Sequence, residues 1–495
     1  MTAANATYVS NNMPLSPRQR QLNQRVLVFV IAITVARSLA AILSPLELGV
    51  DEAQYWLWSQ EFDFGYYTKP PLTSWIIGLS HGVFGHEVWA VRLPAAWLHL
   101  ATALLLSRAA ACFYGQSAGR WAAVLWILLP ATSLASFVIS TDTPLLLAWS
   151  GAVLALAAAL TGRLPHRRGL MLAGVAIGVG MLAKYAAIYA VIGVALLVIW
   201  TRFSTKQKAI KGSDFALFIG MVLLAASPNL IWNLINDFTT VRHLGDNANL
   251  GLRSHDFSNV THFIGAQFVV AGPVVFGLMI LVLFSRNSDP ARMLALCLGL
   301  PVLCVMMVQS YLSEANANWA ITALPMLVVW LAGWLASPGG LRWGLLATAI
   351  NGGIAIVFLM ASMVGTFGAL TPKSDPLRHL RGWQALADDI RATHAMTDAA
   401  VLVADRRATA ALLSWHFHEQ DVAIRVHDDD GIPSNHFEQN LDWQPISGQT
   451  VIALDGRPSP PPLANVIWES ESVSSSHKIS ANRDRDLFIY RGTTQ

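Results

Sequence analysis

Long apolar stretches recur through the first 365 residues of this chain and restrict it to one class of fold. Most are about 20 residues long, which is the length that a helix needs to cross the hydrocarbon core of a bilayer. Charged residues make up only 13% of the 495 residues, against roughly 25% in a typical soluble domain. A spanning segment must satisfy its own backbone hydrogen bonds, so the sequence predicts a polytopic α-helical membrane protein.

These stretches predict about 11 transmembrane helices, with 13 as the upper bound. They cover roughly residues 26–46, 93–113, 121–139, 144–162, 169–183, 185–201, 214–232, 262–284, 291–310, 319–336 and 343–365. The first is long enough to span and is not followed by a small-residue cleavage site, so it is interpreted as a retained helix. Residues 26–365 are therefore the predicted transmembrane domain, and residues 1–25 precede it as a cytoplasmic segment.

Basic residues predict the orientation of these helices, because lysine and arginine are enriched in cytoplasmic loops. With the N-terminus in the cytoplasm, the inner segments carry 15 basic residues and the outer loops carry 5. The five outer residues are Lys69, Arg92, Lys184, Arg242 and Arg253. A single long helix over 169–201 would reverse every later loop and lose this bias, so two helices are expected to meet at Lys184.

The composition changes after residue 365, where the chain becomes polar and more highly charged. Because the predicted number of spans is odd, this part of the chain, residues 366–495, is expected on the outer side. It is predicted to form a small α/β domain. Amphipathic and apolar patterns predict helices at 377–394 and 406–418, and strands at 399–404, 450–454 and 487–491.

The first outer loop, residues 47–92, is the longest between predicted spans and carries the acidic pair Asp51 and Glu52. Tyr55 and the tryptophans that follow predict a helix at the membrane interface, where these aromatic residues are favoured. The apolar segment Pro71–Phe84 is too short to span and is expected to lie along the interface as well. Taken alone, the acidic pair is more typical of a solvated loop than of a functional site.

Polar residues in the other outer segments fall on the same side of the membrane. Asp142 precedes a Thr-Pro step, which is typical of a helix start, so it is a candidate both for an N-cap and for a site. Lys184 stands between apolar residues, where a lysine must reach water, a cavity or an anion, or snorkel to the interface. Arg253, His255 and Glu314 lie on outer loops as accessory candidates. A polar outer face favours a lipid with a polar head as the substrate.

Four of these outer segments form an ordered set along the chain. They are Asp51-Glu52, Tyr66-Tyr67-Thr68-Lys69-Pro70-Pro71, Arg92-Leu93-Pro94 and Asp142-Thr143-Pro144. Together they resemble the GT-C glycosyltransferase superfamily, and more narrowly the branch that contains protein O-mannosyltransferases and the bacterial aminoarabinose lipid A transferase. The similarity is clearest over residues 26–235, and the segment 405–417 is similar to the extramembrane domain of these enzymes.

The resemblance implies an inverting transfer of a sugar from a polyprenyl-phosphate donor to a hydroxyl group. Asp51 matches the family's catalytic acidic position and is the expected base, with Glu52 supporting it or contacting the acceptor. Lys69 and Lys184 match basic positions that hold the donor phosphate, whose charge grows as it leaves. The other residues expected at the donor phosphate or sugar are Tyr55, Tyr66, Tyr67, Arg92 and Asp142, and those expected at the acceptor or as accessories are Arg253, His255 and Glu314.

Two departures from the family pattern bear on the acceptor. Thr68 stands where the aminoarabinose enzyme has an acidic residue before the phosphate lysine. Aminoarabinose is therefore not expected to be the sugar that this chain transfers. The long lumenal loop of protein mannosyltransferases is absent, which favours an envelope glycolipid, lipid A or polysaccharide as the acceptor. No cofactor is required, because lysines can hold the phosphate, although His243, His255 and Glu52 could bind a divalent metal.

The resulting prediction is an integral glycosyltransferase of a bacterial inner membrane, with a polyprenyl-phosphate sugar, an envelope acceptor and the lipid bilayer as its partners. A lipid-linked sugar translocase is the alternative from another class, and broken helices in inverted repeats would indicate it. A protein O-glycosyltransferase and an assembly protein with a degenerate site are further alternatives. The net charge of +3 gives no electrostatic footprint for nucleic acid.

Overall fold

The computed structural model of the chain describes residues 15–205, 207–241, 255–284, 289–368, 374–392, 401–420, 422–428, 435–456, 459–469, 473–480 and 483–495. The chain folds into two compact units that do not follow its order. The first consists of Met1–Leu39, Lys69–Thr73 and Arg92–Leu359, and the second of Ala40–Thr68, Ser74–Val91 and Met360–Gln495. The outer loop 47–92 is thus shared between the units, and the predicted domain limits at residues 25 and 365 stay predictions.

Helices make up most of the described chain as far as Val364. They are α1 (Pro17–Leu43), α2 (Val50–Ser59), α3 (Leu72–Phe84), α4 (Val88–Tyr114), α5 (Gln116–Leu128), α6 (Pro130–Ala135), α7 (Asp142–Leu160), α8 (His166–Met181), α9 (Ile188–Phe203), α10 (Gly212–Ile235), α11 (Phe257–Ala271), α12 (Pro273–Leu283), α13 (Pro290–Leu312), α14 (Leu324–Leu335) and α15 (Leu341–Val364). Short 3₁₀ turns, Tyr185–Ala187 and Ala317–Ala323, precede α9 and α14.

Within the described residues, eight helices are long and apolar enough to cross a membrane, and nine spans result if the bent pair α11–α12 counts as one. The polytopic helical membrane fold is therefore confirmed, whereas the predicted count of 11, or up to 13, is not reached by this measure. The two missing spans are the predicted segments 121–139 and 169–183. They correspond to α5 with α6 and to α8, and α8 is only 16 residues long.

Two predicted spans are broken where the sequence contains proline. Leu129 takes an extended conformation (ψ 137°) between α5 and α6, because the residue before Pro130 is sterically excluded from the helical region. The predicted helix 262–284 bends by 114° between α11 and α12. The bend lies at Gly272, whose φ of +90° suits glycine, and a side chain there would collide with Asn351 at 2.0 Å.

Small residues bring α8 against α10 within the first unit. A Cβ atom at Gly174 or Gly178 would lie 2.5 Å from the Phe218 carbonyl oxygen or 2.6 Å from the Val222 carbonyl oxygen of α10. Glycine pairs of this spacing allow transmembrane helices to approach at backbone distance. The packing fixes the end of α8, and Lys184 follows that end by three residues.

A mixed sheet forms the core of the second unit. Its strands are β1 (Val401–Ala404), β2 (Ala423–Val426), β3 (Thr450–Asp455), β4 (Val466–Trp468), β5 (Val473–Ser480) and β6 (Arg483–Thr494). The order is β2-β1-β3-β6-β4, with β5 also paired to β6; β1 is parallel to β2 and β3, and the pairs of β6 are antiparallel. Buried apolar residues of β1 and β3, such as Val401, Val403 and Val451, pack beneath it.

Three helices accompany this sheet: α16 (Trp383–Ala392), α17 (Arg407–His416) and α18 (His436–Asn440). The predicted strands 399–404, 450–454 and 487–491 correspond to β1, β3 and part of β6, although residues 399–400 lie outside the described chain. The predicted helix 406–418 corresponds to α17. The predicted helix 377–394 is shorter than expected, because Gly382 has a φ of +88° and separates α16 from a 3₁₀ turn at Arg378–Leu380.

Candidate active site

The first unit contains a polar cluster centred on Asp142. The Lys184 ammonium group lies 2.7 Å from Asp142 Oδ1, and the Asn318 side-chain amide donates to Asp142 Oδ2 at 3.0 Å. The Asp142 side chain is only 6% exposed, whereas that of Lys184 is 24% exposed. Asp142 is the first residue of α7, and its carboxylate is held by these two partners. The arrangement presents a fixed, partly accessible cation, which is the group that an anionic ligand needs.

The break between α8 and α9 positions Lys184, as the charge pattern predicted. Lys184 is extended (φ −160°, ψ 135°), between the end of α8 and the 3₁₀ turn that starts at Tyr185. The Tyr185 hydroxyl donates to Asn229 Oδ1 at 2.7 Å and accepts from the Asn233 amide at 2.9 Å, which ties the turn to α10. The lysine backbone is therefore supported on both sides.

Lys69 belongs to the same unit as Lys184. The Leu72 N–H donates to the Leu182 carbonyl at 2.8 Å, so the segment that carries Lys69 is attached next to the connection that carries Lys184. Lys69 is half-buried and has polar contacts of its own. Arg92 is fully buried, and its guanidinium carbon lies 4.7 Å from the centre of the Phe137 ring. The donor-side cations predicted from the sequence thus lie in one compact unit.

The accessory candidates fall at one end of α11 and α13. The His255 ring lies 5.6 Å from that of Tyr311, and the Asn259 amide donates to the Ser313 carbonyl at 3.1 Å. Glu314 follows that carbonyl and is exposed, as is His255. Arg253, with Arg242 and His243, lies outside the described residues. Acceptor or accessory roles for these residues stay predictions.

The second unit contains a different ion pair, between Asp51 in α2 and Arg407 in α17. An Nη2 hydrogen of Arg407 is donated to Asp51 Oδ1. The Asp51 side chain is 63% exposed and that of Arg407 is 33% exposed. Further along the two helices, the Trp56 and Trp415 rings meet edge to face with their centres 4.8 Å apart. The predicted base therefore stands at the open end of a packed helix pair.

Glu52, the second predicted acidic residue, is buried and caps its own helix. Its Oε2 accepts the Gly49 N–H at 2.9 Å, which is one half of a capping box at the start of α2, because Gly49 has no side chain to form the reciprocal bond. An acidic residue three positions after a helix cap is a sequence signal for this contact. The observed contact is structural, and a catalytic role for Glu52 stays a prediction.

The tyrosines of the first outer loop are mostly built into the second unit. The Tyr66 hydroxyl donates to the Trp58 and Glu61 carbonyls, at 2.7 and 2.9 Å, and its ring stacks on Trp58 at 4.9 Å. Burial raises the pKa of Tyr66 to about 12, so the hydroxyl stays neutral. Tyr55 is buried beside Trp58, and Tyr67 is half-buried. These contacts give Tyr66 a loop-bracing role, and donor contacts for the three tyrosines stay predictions.

Glu47 anchors the start of the outer loop to α16 within the second unit. Its carboxylate accepts the backbone N–H groups of Gly382, Trp383 and Gln384, at 3.1, 2.7 and 3.2 Å. A carboxylate at the positive end of a helix is stabilising. Burial raises the pKa of Glu47, while these three hydrogen bonds oppose the rise. The anchor fixes the chain just before α2 and Asp51.

The histidine, cysteine and acidic residues are the side chains that could bind a metal ion. Over the ranges that the structure describes, no three of them are grouped so that they could hold a metal ion. Of the three metal-ligand candidates, Glu52 is engaged as a helix cap and His255 is exposed.

Two residues with direct contacts to the predicted site residues were missed from the sequence, namely Asn318 and Arg407. Asn318 is 176 positions from Asp142, and Arg407 is 356 positions from Asp51. The loop that contains Asn318 was noted for Glu314, and the Asp405-Arg406-Arg407 run was noted as a family feature. Neither pattern indicates which carboxylate the side chain contacts.

Comparisons with known proteins agree with this architecture. The family model described as dolichyl-phosphate-mannose-protein mannosyltransferase matches residues 68–232. A protein of Rhizobium johnstonii named lipid A galacturonosyltransferase RgtD is 32% identical over 449 residues, covering 87% of this chain and 90% of the relative. That match includes most of both units.

Solved structures share the fold along nearly the whole chain. ArnT from Cupriavidus metallidurans in the apo state is 15% identical with a TM-score of 0.63, covering 95% of this chain and 98% of that one. The same protein bound to undecaprenyl phosphate gives a TM-score of 0.62 at 15% identity, covering 94% and 97%. At this identity the likeness concerns the fold alone.

Proposed function

Because this chain belongs to the GT-C superfamily of membrane glycosyltransferases, we propose that it transfers a sugar from a polyprenyl-phosphate donor to lipid A or a related envelope glycolipid. The observation that carries this proposal is the 32% identity, over 87% of the chain, with a relative named as a lipid A galacturonosyltransferase. The same relative supports a hexuronic acid as the sugar. ArnT, whose fold this chain shares, has been solved with undecaprenyl phosphate bound, which supports a lipid phosphate as the carrier.

The proposed reaction is a displacement at the anomeric carbon of the donor. The acceptor hydroxyl oxygen forms a bond to that carbon as the bond from the carbon to the phosphate oxygen breaks, with inversion. The hydroxyl proton passes to the Asp51 carboxylate, and the bonding electrons leave with the polyprenyl phosphate. Proton transfer to a positioned base typically contributes about 10² to 10⁴-fold in rate. The exposure of Asp51, 63% of its side chain, supports access by an acceptor.

The leaving phosphate gains charge, and we assign its stabilisation to Lys184 and Lys69. The contact with Asp142 uses one of the three N–H donors of Lys184, so the ammonium group retains donors for phosphate oxygens. Asp142 holds that ammonium group in a fixed position, which spares reorganisation in the transition state. Arg92 adds buried positive charge to the same unit.

The first experiment measures sugar transfer by the purified full chain with a polyprenyl-phosphate-linked hexuronic acid and lipid A. Asp51→Asn is expected to reduce product, detected by mass spectrometry, by about 10²-fold or more at equal protein level. Glu61→Gln is the matched control, because Glu61 is an exposed carboxylate in the same loop. Full activity of Asp51→Asn would remove Asp51 from the base role. Movement of the lipid-linked sugar without a new glycosidic bond would indicate a translocase.

A protein acceptor is the second candidate, favoured by the family model that matches residues 68–232. Mass spectrometry of envelope glycolipids and envelope proteins, with and without the chain, separates the two. Loss of a sugar from lipid A alone supports the first candidate, and loss from proteins alone supports the second.

We propose a bacterial inner membrane as the location, with the N-terminus in the cytoplasm and residues 366–495 outside. The bias of 15 inner against 5 outer basic residues supports this orientation. A reporter fused after Gln495 tests it, and reporter activity in the cytoplasm would contradict it.

A further inference from the structure

Arg407 occupies an electrostatically unusual position. It is the first residue of α17, and Arg406 caps that helix without a side-chain hydrogen bond to its free N–H groups. The first turn, Arg407-Ala408-Thr409-Ala410, contains no acidic residue. The start of a helix carries a partial positive charge, so two guanidinium groups there repel it and each other. Such a position favours a nearby anion.

Two carboxylates supply negative charge at this helix start, one to each arginine. Asp405 is local: it lies 3.3 Å from Arg406 and accepts the Thr409 hydroxyl at 2.6 Å. Asp51 comes from α2 and pairs with Arg407. Asp51 is also the residue to which the proposed function assigns the acceptor proton. The contact with Arg407 occupies one of the two carboxylate oxygens on which that role depends.

We propose that Arg407 is an acceptor-binding residue that exchanges Asp51 for an oxyanion, a phosphate or a carboxylate, carried by the acceptor glycolipid. The inference rests on the proposed function for the role of Asp51. Binding of the acceptor draws the guanidinium away and leaves both Asp51 oxygens available to the hydroxyl proton. When Asp51 takes up that proton its charge is lost, and the acceptor oxyanion then remains as the counter-ion of Arg407.

Because the Asp51–Arg407 pair is exposed, breaking it costs little free energy. With 63% of Asp51 and 33% of Arg407 exposed, the pair is of the kind that contributes about 0.2 to 1 kcal/mol. That range corresponds to a factor of about 1.4 to 5 in an equilibrium constant. A charge-assisted hydrogen bond from a guanidinium to an oxyanion, held in place by the rest of a bound lipid, exceeds it.

The test measures binding of glycolipid probes to the full chain in nanodiscs, which requires no turnover. The probes are bis-phosphorylated lipid A, the same lipid without phosphates, and a phosphate-free form extended by acidic core sugars. Arg407→Ala is expected to weaken binding of at least one anionic probe by about tenfold or more, and Arg407→Lys to restore part of it. The probe affected identifies phosphate or carboxylate as the group bound. Arg406→Ala, which removes the neighbouring charge, is expected to change binding less than twofold.

Asp51→Asn gives the sharper result, because it removes the competing carboxylate. It should abolish transfer and yet tighten binding of the anionic probe, by about two- to fivefold. In steady-state kinetics, Arg407→Ala should raise the acceptor KM relative to the wild type while the KM for the polyprenyl-phosphate sugar is unchanged.

Three outcomes would overturn the inference: equal binding by Arg407→Ala and wild type, weaker binding by Asp51→Asn, or equal losses for Arg406→Ala and Arg407→Ala. If the binding pattern holds but the wild-type chain transfers no sugar, then the proposed function fails while Arg407 remains the anion-binding residue. If transfer occurs but the binding pattern is absent, then only the role of Arg407 fails.

Discussion

Asp142 and Asp51 each pair with a cation, but their surroundings differ. Asp142, in the first unit, is 6% exposed, and both of its carboxylate oxygens have partners. Asp51, in the second unit, is 63% exposed and pairs with Arg407 through one oxygen. Removing one partner from a buried pair leaves an uncompensated charge, whereas an exposed pair is replaced by water at little cost. The first pair is therefore suited to fix a cation, and the second to exchange one.

The local structure around each pair fits this distinction. Lys184 is held by the close packing of α8 on α10 at Gly174 and Gly178 and by the turn at Tyr185. Arg407 stands at the accessible start of a helix that is mostly buried from Thr409 onward and packs on Trp56 through Trp415. Rigid support surrounds the first pair, and solvent reaches the second.

The largest expected effect comes from breaking the buried pair. Lys184→Met keeps the side-chain length but leaves the Asp142 carboxylate without its counter-ion. We expect sugar transfer to fall by about 10² to 10³-fold, and the free energy of unfolding in detergent to fall by about 3 to 5 kcal/mol. Lys208→Met, at an exposed lysine, is the control.

A double substitution separates the two consequences of this change. In Asp142→Asn with Lys184→Met neither member of the pair is charged, so most of the lost stability should return while sugar transfer stays low. Recovery of transfer in the double variant would mean that Lys184 acts through stability alone and does not hold phosphate.

Much of the first unit could be predicted from the sequence. The apolar stretches gave the spanning helices, and the charge bias required the break at Lys184, which the structure contains. The breaks at Pro130 and Gly272-Pro273 had local signals as well, because proline restricts the residue before it and glycine permits a positive φ. Reading those signals would have prevented the assignment of 121–139 and 262–284 as single helices.

For the contacts of Asp142 and Asp51, the sequence predicted the carboxylates but not the partners Asn318 and Arg407. Asp142 and Lys184 stood out because charges next to spanning helices are costly and few. Asp51 stood out only through its match to the family's catalytic acidic position. Asn318 and Arg407 are polar residues of loops and helix ends, where such residues are ordinary. Their pairing depends on the tertiary packing of distant segments, which hydrophobic periodicity does not encode.

A fall in pH provides a way to loosen α17, the helix that carries Arg407, without a substitution in the exposed pair. His416, the last residue of α17, has its pKa lowered to about 4 by burial and by the nearby Arg391. Its pKa is about 6.5 when unfolded, so between pH 6.5 and 4 the unfolded chain binds the proton and the folded chain does not. Stability therefore falls as the pH falls, by up to about 3 kcal/mol. Hydrogen exchange in α17 should rise over this window.

His416→Gln should remove much of this pH dependence, since the amide does not titrate. His418→Gln is the comparison, because His418 is an exposed histidine two positions further on. His436, whose pKa burial also lowers to about 4, should account for part of what remains. An unchanged pH profile in His416→Gln would exclude His416 as the sensitive group.

Asn318→Ala tests how completely the buried pair depends on its second partner. The substitution removes the 3.0 Å hydrogen bond to Asp142 Oδ2 but leaves Lys184 in place. Because Asn318 is exposed, water can replace the amide, so we expect a loss of about 1 kcal/mol and no more than about tenfold in transfer. Asn316→Ala, in the same exposed loop, should have no effect. A loss as large as that of Lys184→Met would make Asn318 an equal member of the cluster.

The smallest expected effect is the change in the free energy of unfolding caused by Arg407→Ala. A small change here is what distinguishes the exposed pair from the buried one. Substitution of one partner of an exposed pair should lower the free energy of unfolding by less than about 1 kcal/mol, measured beside Arg406→Ala. If Arg407→Ala instead destabilises the chain by several kcal/mol, the pair is structural and could not release Arg407 to an acceptor. A small loss of stability combined with a large loss of anion binding is the combination that only an exchangeable pair gives.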